Sequence, residues 1–326
     1  MARKKELPSV SGDLKKLEEV LNKEFGDGDP VSLVDNIPVF STGLSLLDII
    51  IGGGLRLGSF VHIWGDSGNG KTVLALHLVS AFQRQYEDGL VIFIDSEHAL
   101  PRDLGRKMGI NFSKVAVVTP TTMEKCFDLM LRVIDKYPDK PKLIVWDSLA
   151  AAVPKEFMES DVDEKDRLGI IARVTSKAIP KVRNAAMRAH TCIVTLNQVR
   201  TKIGVMFGNP DTAPGGKAAK FYSDLSIRLR VKDKILSTRG KDVIGLHVQA
   251  EVDKSRWCPP YRKARFTIWF HGEVNDHEDF LEVLKTYDLA VYRKGKGYIL
   301  PNGTTVPSKE EFGRRIKGDD DLRQYC

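Results

Sequence analysis

The stretch from Phe60 to Thr72, FVHIWGDSGNGKT, is a short apolar run followed by a glycine-rich octet that ends in Gly-Lys-Thr. An apolar helical pattern continues from Val73 to Val79. The octet fits G-x-x-x-x-G-K-[ST] between a strand and a helix, which is the context that this motif requires. Glycines let successive backbone N–H groups turn toward phosphate oxygens, and the helix N-terminus adds partial positive charge. The stretch therefore predicts a nucleotide phosphate site.

Two side chains of the octet are expected to have chemical roles. Lys71 would neutralise the β- and γ-phosphates, and the Thr72 hydroxyl would bind Mg²⁺. The alternative is a glycine-rich turn that binds nothing, which the complete octet between strand and helix disfavours. The predicted nucleotide-binding residues are Gly65, Asp66, Ser67, Gly68, Asn69, Gly70, Lys71 and Thr72.

Length and composition limit the classes of protein to which the chain can belong. The chain has 326 residues, of which 42% are hydrophobic and 29% charged, as in a folded globular protein. This length accommodates one large α/β domain and a small satellite. The formal net charge of +7 is spread along the chain and mildly favours a polyanionic partner.

Cysteine spacing and the N-terminus indicate the compartment. The four cysteines lie more than sixty residues apart without a C-x-x-C pair, which suits neither a zinc site nor a small disulfide framework. No apolar segment follows the basic residues 1–5, so no signal peptide is expected. The most apolar window, 44–55, is interrupted by Asp48 and three glycines. We expect a cytoplasmic protein with no membrane partner.

Strands and helices alternate between residues 60 and 147. Continuous apolar strands separated by helices predict an α/β fold with a mostly parallel sheet covered on both faces. Ligands of such sheets bind at the carboxyl ends of the strands. The expected strands cover residues 60–64, 90–95, 115–118 and 142–147, and the expected helices cover 71–86, 101–109 and 122–136.

The second half of the chain has longer irregular segments. The charged stretch 155–168 predicts a mobile loop before a helix at 169–187. The expected strands that follow cover residues 191–196, 221–231, 243–251 and 266–270, with a charged turn at 232–242. After Gly272, short polar segments with glycine and proline predict a small separate module.

Polar side chains follow three of the expected strands. Asp147 would hold Mg²⁺ through a water, or would only cap the next turn. Glu97 could orient and partly deprotonate an attacking water, although Asp95 competes for this part and the sequence leaves the choice open. Gln198 could bond the γ-phosphate and report its loss to the following loop, or be an ordinary loop residue.

Two segments are basic. The long loop 199–220 mixes cations with glycines, which suits a nucleic-acid backbone. The segment 251–265 could contact DNA or extend cations to another subunit's nucleotide. A solvated surface is the alternative for both. The charged residues of the loop are Arg200, Lys202, Asp211, Lys217 and Lys220.

Residues 11–25 form an amphipathic helical pattern with Leu14, Leu17, Leu21 and Phe25 on one face. The apolar face must be buried, either against its own domain or against a neighbouring subunit. The helical periodicity fits burial against its own domain and burial against a neighbouring subunit equally well.

Six stretches together resemble the RecA family of homologous-recombination ATPases over roughly residues 10–270. The most diagnostic is NQVRTKIGVMFGNPDTAPGGKAAKFY at 197–222, which covers the family's second DNA-binding loop. The others are FSTG at 40–43, LLD at 46–48, GGGL at 52–55, IDSEHAL at 94–100 and VWDSLAA at 145–151.

The resemblance implies a role for each matching residue and ATP with Mg²⁺ as cofactors. The implied catalytic residues are Lys71, Glu97 and Gln198, and Thr72 and Asp147 would hold the metal. Lys254 and Arg256 match two lysines that reach the nucleotide of the adjacent subunit, and the helix 11–25 matches the element that packs on that neighbour. The implied DNA-binding residues are Arg173, Arg200, Lys202, Gly215, Gly216 and Lys217.

The chain departs from the family pattern at several positions. Leu104 stands where bacterial members stack a tyrosine on adenine, and Pro101 replaces an acidic residue. Arg256 replaces a lysine, which keeps the charge but changes a point ammonium into a planar fork. Pro180 is expected to interrupt the helix that leads away from Arg173.

The chain divides by these expectations into three parts. Residues 1–36 form an N-terminal oligomerisation helix and linker, 37–271 the RecA-like ATPase core, and 272–326 a small C-terminal α/β module. The third part matches the family weakly, which would suit a phage-encoded relative.

The resemblance implies an ATP-dependent DNA recombinase that forms a helical homo-oligomer on single-stranded DNA and exchanges strands with homologous duplex DNA. Hydrolysis at subunit interfaces would be DNA-stimulated, and single-strand-binding and loader proteins would be partners in a bacterial cytoplasm or phage-infected host. One alternative is a hexameric RecA-fold helicase, which should carry a different translocation loop. Another is a non-catalytic nucleotide-binding mediator, which the intact set of site residues argues against.

Overall fold

A computed structural model describes residues 37–159, 164–198, 200–201, 211–212, 216–238, 240–286, 290–300 and 303–318. The chain forms two compact units, Met1–Pro38 and Val39–Cys326. The predicted helix at 11–25 lies outside the described residues, as do Lys202 and Gly215.

Helices and strands alternate through much of the second unit. The helices are α1 (Ser45–Ile51), α2 (Lys71–Gln85), α3 (Arg102–Lys107), α4 (Met123–Lys136), α5 (Lys155–Glu159), α6 (Glu164–Arg188), α7 (Gly216–Tyr222), α8 (His277–Thr286) and α9 (Lys309–Gly318). The strands up to the long loop are β1 (Val39–Phe40), β2 (Leu55–Arg56), β3 (Phe60–Gly65), β4 (Leu90–Asp95), β5 (Val115–Val118), β6 (Lys142–Asp147) and β7 (Thr191–Gln198). The later strands are β8 (Arg200–Thr201), β9 (Asp211–Thr212), β10 (Leu225–Leu236), β11 (Val243–Ser255), β12 (Lys263–Trp269), β13 (Val274–Asn275), β14 (Val291–Arg293), β15 (Gly297–Ile299) and β16 (Thr305–Val306).

Nine strands form one central sheet in the order β13-β12-β11-β10-β3-β7-β6-β4-β5. The six strands from β10 to β5 in this order are parallel, and β11, β12 and β13 extend the sheet in an antiparallel way. The predicted α/β fold with a mostly parallel sheet is therefore confirmed. The strand expected at 266–270 is β12, but the expectation that it is the last strand of the sheet is wrong, because β13 pairs beyond it.

Each face of the sheet has its own apolar core, because neighbouring residues of a strand point to opposite faces. On β4, Val91 and Phe93 pack in the core that contains α1 and α2. Ile92 and Ile94 pack in the core that contains α4 and α6. The helices thus shield both faces, which is why these strands read as unbroken apolar runs.

The structure corrects two expectations about the helices that follow β6. Residues 155–168 are not one loop, because Lys155–Glu159 is helical and α6 already begins at Glu164. Helix α6 also continues through Pro180. Ile179 and Val182 are fully buried on either side of this proline, so packing holds the helix where one backbone hydrogen bond is lost.

The hairpin β10–β11 is longer than the sequence pattern predicts. Phe221 belongs to α7, and the strand begins at Leu225. It then runs to Leu236 through the first five residues of the expected charged turn, because Asp233 and Lys234 pair with His247 and Leu246 of β11. Backbone pairing does not depend on side-chain polarity when the residues are exposed.

The C-terminal segment shares the core of the central sheet. Phe280 and Leu281 of α8 and Phe312 of α9 are buried in the same cluster as residues of α1 and β12. The backbone N–H of Leu46 donates to Asp276 Oδ2 at 2.6 Å. The domain boundary at 271/272 stays a prediction. Among the described helices, none is both long and apolar enough to cross a membrane.

The carboxyl of Asp276 leads to a pH-dependent prediction. Asp276 is 2% exposed, and burial raises its pKa to about 7. A raised folded-state pKa stabilises the protein below the ordinary pKa of the carboxyl, and this stabilisation is lost as the pH rises through the folded value. Asp276→Asn cannot ionise, so we expect its stability relative to the wild type to increase between about pH 4 and pH 7, by at most about 4 kcal/mol.

Urea unfolding of both proteins at pH 5 and pH 8 measures this difference. Asp103→Asn, which alters an exposed carboxyl paired with Arg106, is the control and should change stability equally at both pH values. The raised pKa of Asp276 is contradicted if Asp276→Asn gains no more stability over the wild type at pH 8 than at pH 5.

Candidate nucleotide-binding active site

The carboxyl ends of four parallel strands meet beside the glycine-rich loop. Gly65 pairs with Gln198, and Asp95 pairs with Asp147, so both pairs lie at one edge of the sheet. A cleft of about 400 Å³ opens there. Its lining residues are Ser67, Gly68, Gly70, Lys71, Thr72, Val73, Glu97, Leu104, Asp147, Gln198, Leu246, Ile268, Trp269 and Phe270.

The glycine-rich loop depends on glycine at two positions. Gly68 and Gly70 have φ angles of 77° and 78°, in the left-handed region that side chains disfavour. A Cβ at Gly70 would also overlap Cδ1 of Ile268. Asn69 donates through Nδ2 to the carbonyl of Leu229 at 2.9 Å, which holds the loop on β10. The glycines and the contact with β10 therefore hold the loop in this conformation.

Lys71 lies beneath this loop at the first position of α2. Its Nζ donates to the carbonyls of Gly65 at 2.9 Å and Asp66 at 2.7 Å, and the residue is 9% exposed. Burial lowers the pKa of Lys71, whereas the Asp147 and Glu97 carboxylates raise it. An anion in the cleft would favour the charged amine, so the site is suited to phosphate.

Thr72 and Asp147 provide hard oxygen donors for a metal ion. The Thr72 hydroxyl donates to Asp147 Oδ2 at 2.6 Å, and Asp147 is 7% exposed. Burial raises the pKa of Asp147 to about 6. A hydroxyl and a carboxylate at the phosphate edge fit Mg²⁺, which prefers oxygen ligands. Within the described residues there is no cluster of three or more His, Cys, Asp or Glu that could hold a metal.

Glu97 faces the cleft, whereas Asp95 is bonded within its own loop. Asp95 accepts from the backbone N–H groups of Ala99 at 3.2 Å and Leu100 at 3.1 Å. Glu97 Oε1 accepts from Ser148 Oγ at 2.6 Å and from Gln198 Nε2 at 3.1 Å. The geometry thus favours Glu97 over Asp95 as the group that orients water.

Ser148 is a site residue that the sequence reasoning missed. It is 1% exposed, and its hydroxyl holds Glu97 from the strand that carries Asp147. The available signal was a small hydroxyl residue directly after a strand-end carboxylate.

The remaining wall of the cleft is apolar. Leu104, Leu246 and Ile268 line it, and the place of Leu104 beside a nucleotide base stays a prediction. Trp269 and Phe270, at the end of β12, complete the wall and were not predicted as site residues. An aromatic pair at the end of a strand was the signal that could have identified them.

Lys254 and Arg256 lie outside the lining of this cleft and are bonded to their own chain. Lys254 Nζ donates to the carbonyls of Lys220 at 3.0 Å and Ser223 at 2.8 Å, and also to that of Phe221. Burial and the nearby Arg256 lower the pKa of Lys254. Arg256 Nε lies 3.2 Å from Asp224 Oδ1.

The structure describes only part of the predicted DNA-binding set. Arg173 is exposed on α6 and pairs with Glu156 of α5. Arg200 lies on β8, and Gly216 and Lys217 begin α7. The segment 199–220 is not one irregular loop as expected, because it contains the short β8–β9 pair and the beginning of α7.

Comparison with known proteins agrees with this geometry. The family model described as "RecA N-terminal domain" matches residues 13–275. The chain is 35% identical over 269 residues to "Protein RecA" of Syntrophus aciditrophicus (strain SB), which covers 81% of this chain and 76% of that protein. It is 32% identical over 309 residues to "Protein RecA" of Bacillus mycoides (strain KBAB4), which covers 93% of this chain and 88% of that protein. The chain is therefore a member of the RecA family.

Proposed function

We propose that this member of the RecA family is an ATP-dependent DNA recombinase, which assembles as a helical filament on single-stranded DNA and catalyses homologous pairing and strand exchange. The observation that carries the proposal is the hydrogen bond between Glu97 and Gln198 at the phosphate edge. It joins the residue expected to activate water to the end of β7, which leads directly into the DNA loop.

The phosphates would lie on the glycine-rich loop, with the Lys71 amine against their oxygens. Thr72 and Asp147 would hold Mg²⁺, which neutralises charge on the β- and γ-phosphates when it is bound. Glu97, held by Ser148, would orient the attacking water and accept its proton on the carboxylate. The chain thus supplies a group for each need of phosphoryl transfer to water.

Gln198 would connect the nucleotide to DNA. A γ-phosphate would compete with Glu97 for the Gln198 amide, so its presence changes the end of β7. The loop after β7 and helix α7 would respond, and this would couple DNA binding to ATP hydrolysis. Arg256 and Lys254 would extend toward the nucleotide of the next subunit, so that ATP would lie at the interface between two subunits of the filament.

Electron microscopy of the full chain with single-stranded DNA and a non-hydrolysable ATP analogue tests the proposal. Helical filaments are the expected result. Closed rings would favour a hexameric helicase, and nucleotide binding with neither assembly would favour a mediator, so either outcome would overturn the proposal.

The DNA loop leads to a prediction about salt dependence. We expect Lys202→Ala combined with Lys217→Ala to weaken single-stranded DNA binding and to reduce the slope of log K against log[salt] by about 1.4, since each phosphate contact contributes about 0.7 on single strands. Fluorescence anisotropy over a salt series measures the slope. Lys232→Ala with Lys234→Ala removes two exposed lysines of β10 as the matched control. An unchanged slope in the loop variant would remove both residues from the DNA contacts.

A further inference from the structure

Lys254 and Arg256 are held in different ways by their own chain. The Lys254 ammonium has three donors, and three carbonyls at the end of α7 accept from it. Arg256 is half exposed, and its nearest partner is a single carboxylate, Asp224. Removal of Lys254 would therefore disturb α7, whereas Arg256 can be changed with little effect on the fold.

Asp224 is a buried junction between three parts of the fold. It is 4% exposed and accepts from the backbone N–H of Phe60, on β3, at 3.0 Å. Arg183, on α6, donates through Nε to both carboxylate oxygens at 2.8 and 3.0 Å, and its Nη2 lies 2.7 Å from Oδ1. With Arg256 as the third partner, the carboxylate is anchored to the central sheet and to the longest helix.

We propose that Asp224 is the positioning residue for Arg256, so that the triad Arg183–Asp224–Arg256 presents the cation that reaches the neighbouring subunit's nucleotide. The inference rests on the proposed role of Arg256 in that contact. Arg256 approaches Asp224 through Nε at 3.2 Å, whereas a bidentate contact with phosphate uses two parallel N–H groups of the guanidinium.

The physical reason for such a junction is the freedom of the arginine side chain. A half-exposed arginine samples many rotamers, and only a few of them extend toward a phosphate in the next subunit. A buried, doubly anchored carboxylate restricts Nε to one place, and because the guanidinium is planar and rigid this also limits the directions in which its outer end can point. This preorganisation favours the assembled state without any contact to the chain's own nucleotide.

The triad also joins two functions of the filament. Helix α6 carries Arg183, which contacts Asp224, and Arg173, which is expected near DNA, ten residues earlier. A shift of α6 on DNA binding would therefore directly move Arg183, which contacts Asp224. This gives DNA a short physical route to the cation at the subunit interface, and coupling energies between the residues can test it.

The test compares Asp224→Asn in the wild type and in Arg256→Ala. Asparagine has the same shape and can still accept from the Phe60 N–H, but it has no charge to hold Arg256. We expect Asp224→Asn to lower the DNA-stimulated kcat by about tenfold, with nucleotide affinity of the unassembled protein changed less than about twofold. Combined with Arg256→Ala, it should cause no further loss, because the two act through one contact.

Glu282→Gln is the control. It removes a carboxylate that pairs with Lys285 and Lys309, away from the segments expected to bind nucleotide or DNA, and it should leave kcat unchanged. If Asp224→Asn does not fold, Arg183→Lys keeps the charge and loses the two-oxygen contact, and the same lack of additivity with Arg256→Ala is expected.

The outcomes separate the inference from the function on which it rests. If Asp224→Asn lowers kcat by the same factor with and without Arg256, its effect is structural and the inference is overturned. If Arg256→Ala alone leaves DNA-stimulated kcat unchanged while filaments still form, the role of Arg256 across the interface fails and the recombinase assignment stands.

Discussion

We expect Lys71→Ala to lower the kcat of ATP hydrolysis by at least about 100-fold. The amine lies 2.9 Å from the Gly65 carbonyl, under the loop that would hold the phosphates, and its charge would stabilise the negative charge that develops on the transferred group. Release of inorganic phosphate at saturating ATP and DNA measures the effect. The thermal unfolding temperature of the variant, measured without nucleotide, should change little compared with the loss of turnover.

Lys142 offers a matched control for this experiment. It is also a buried lysine bonded to backbone carbonyls, including that of Lys140 at 2.7 Å, and burial lowers its pKa to about 8. It begins β6, whereas Asp147 ends that strand beside the cleft. Lys142→Met should lower stability and leave hydrolysis close to the wild-type rate. If Lys71→Ala retained turnover, the phosphate loop would not be the catalytic site.

Glu97→Gln should lower kcat by about 100- to 10,000-fold while ATP still binds. The glutamine oxygen can accept from Ser148 and Gln198 as the carboxylate does, so the local structure is kept. The amide cannot take a proton from water, so only the chemical step is lost. Single-turnover hydrolysis, combined with nucleotide titration, separates the two effects.

Asp95→Asn decides between the two acidic residues of this segment. Asp95 accepts from two backbone N–H groups, with one oxygen for each, so asparagine should weaken the loop and reduce stability. Its effect on kcat should be smaller than about tenfold. The assignment of the base is reversed if Asp95→Asn costs more turnover than Glu97→Gln.

The order of strands and helices along the core was predictable, because the local hydrophobic pattern and the burial of the residues agree there. The strands at 90–95 and 142–147 appear with their expected bounds, because apolar runs of this length are buried on both faces of the sheet. The edge strand at 115–118 also has its expected bounds, although its residues are only half-buried or exposed. The helix at 122–136 begins one residue later, with Thr122 as its N-cap. Prediction failed for β10, where backbone pairing with β11 continues through a run of charged residues.

The sequence by itself determined the phosphate loop and the family. Both depend on short contiguous patterns, in which glycine, lysine and threonine are needed at particular positions. Tertiary structure alone decided which acid faces the cleft, that Ser148 and the Trp269–Phe270 pair belong to the site, and that Asp224 holds Arg256. These choices depend on residues distant in the chain, such as Glu97 and Gln198, 101 positions apart. The register of the sheet brings such residues together, and no local pattern records that register.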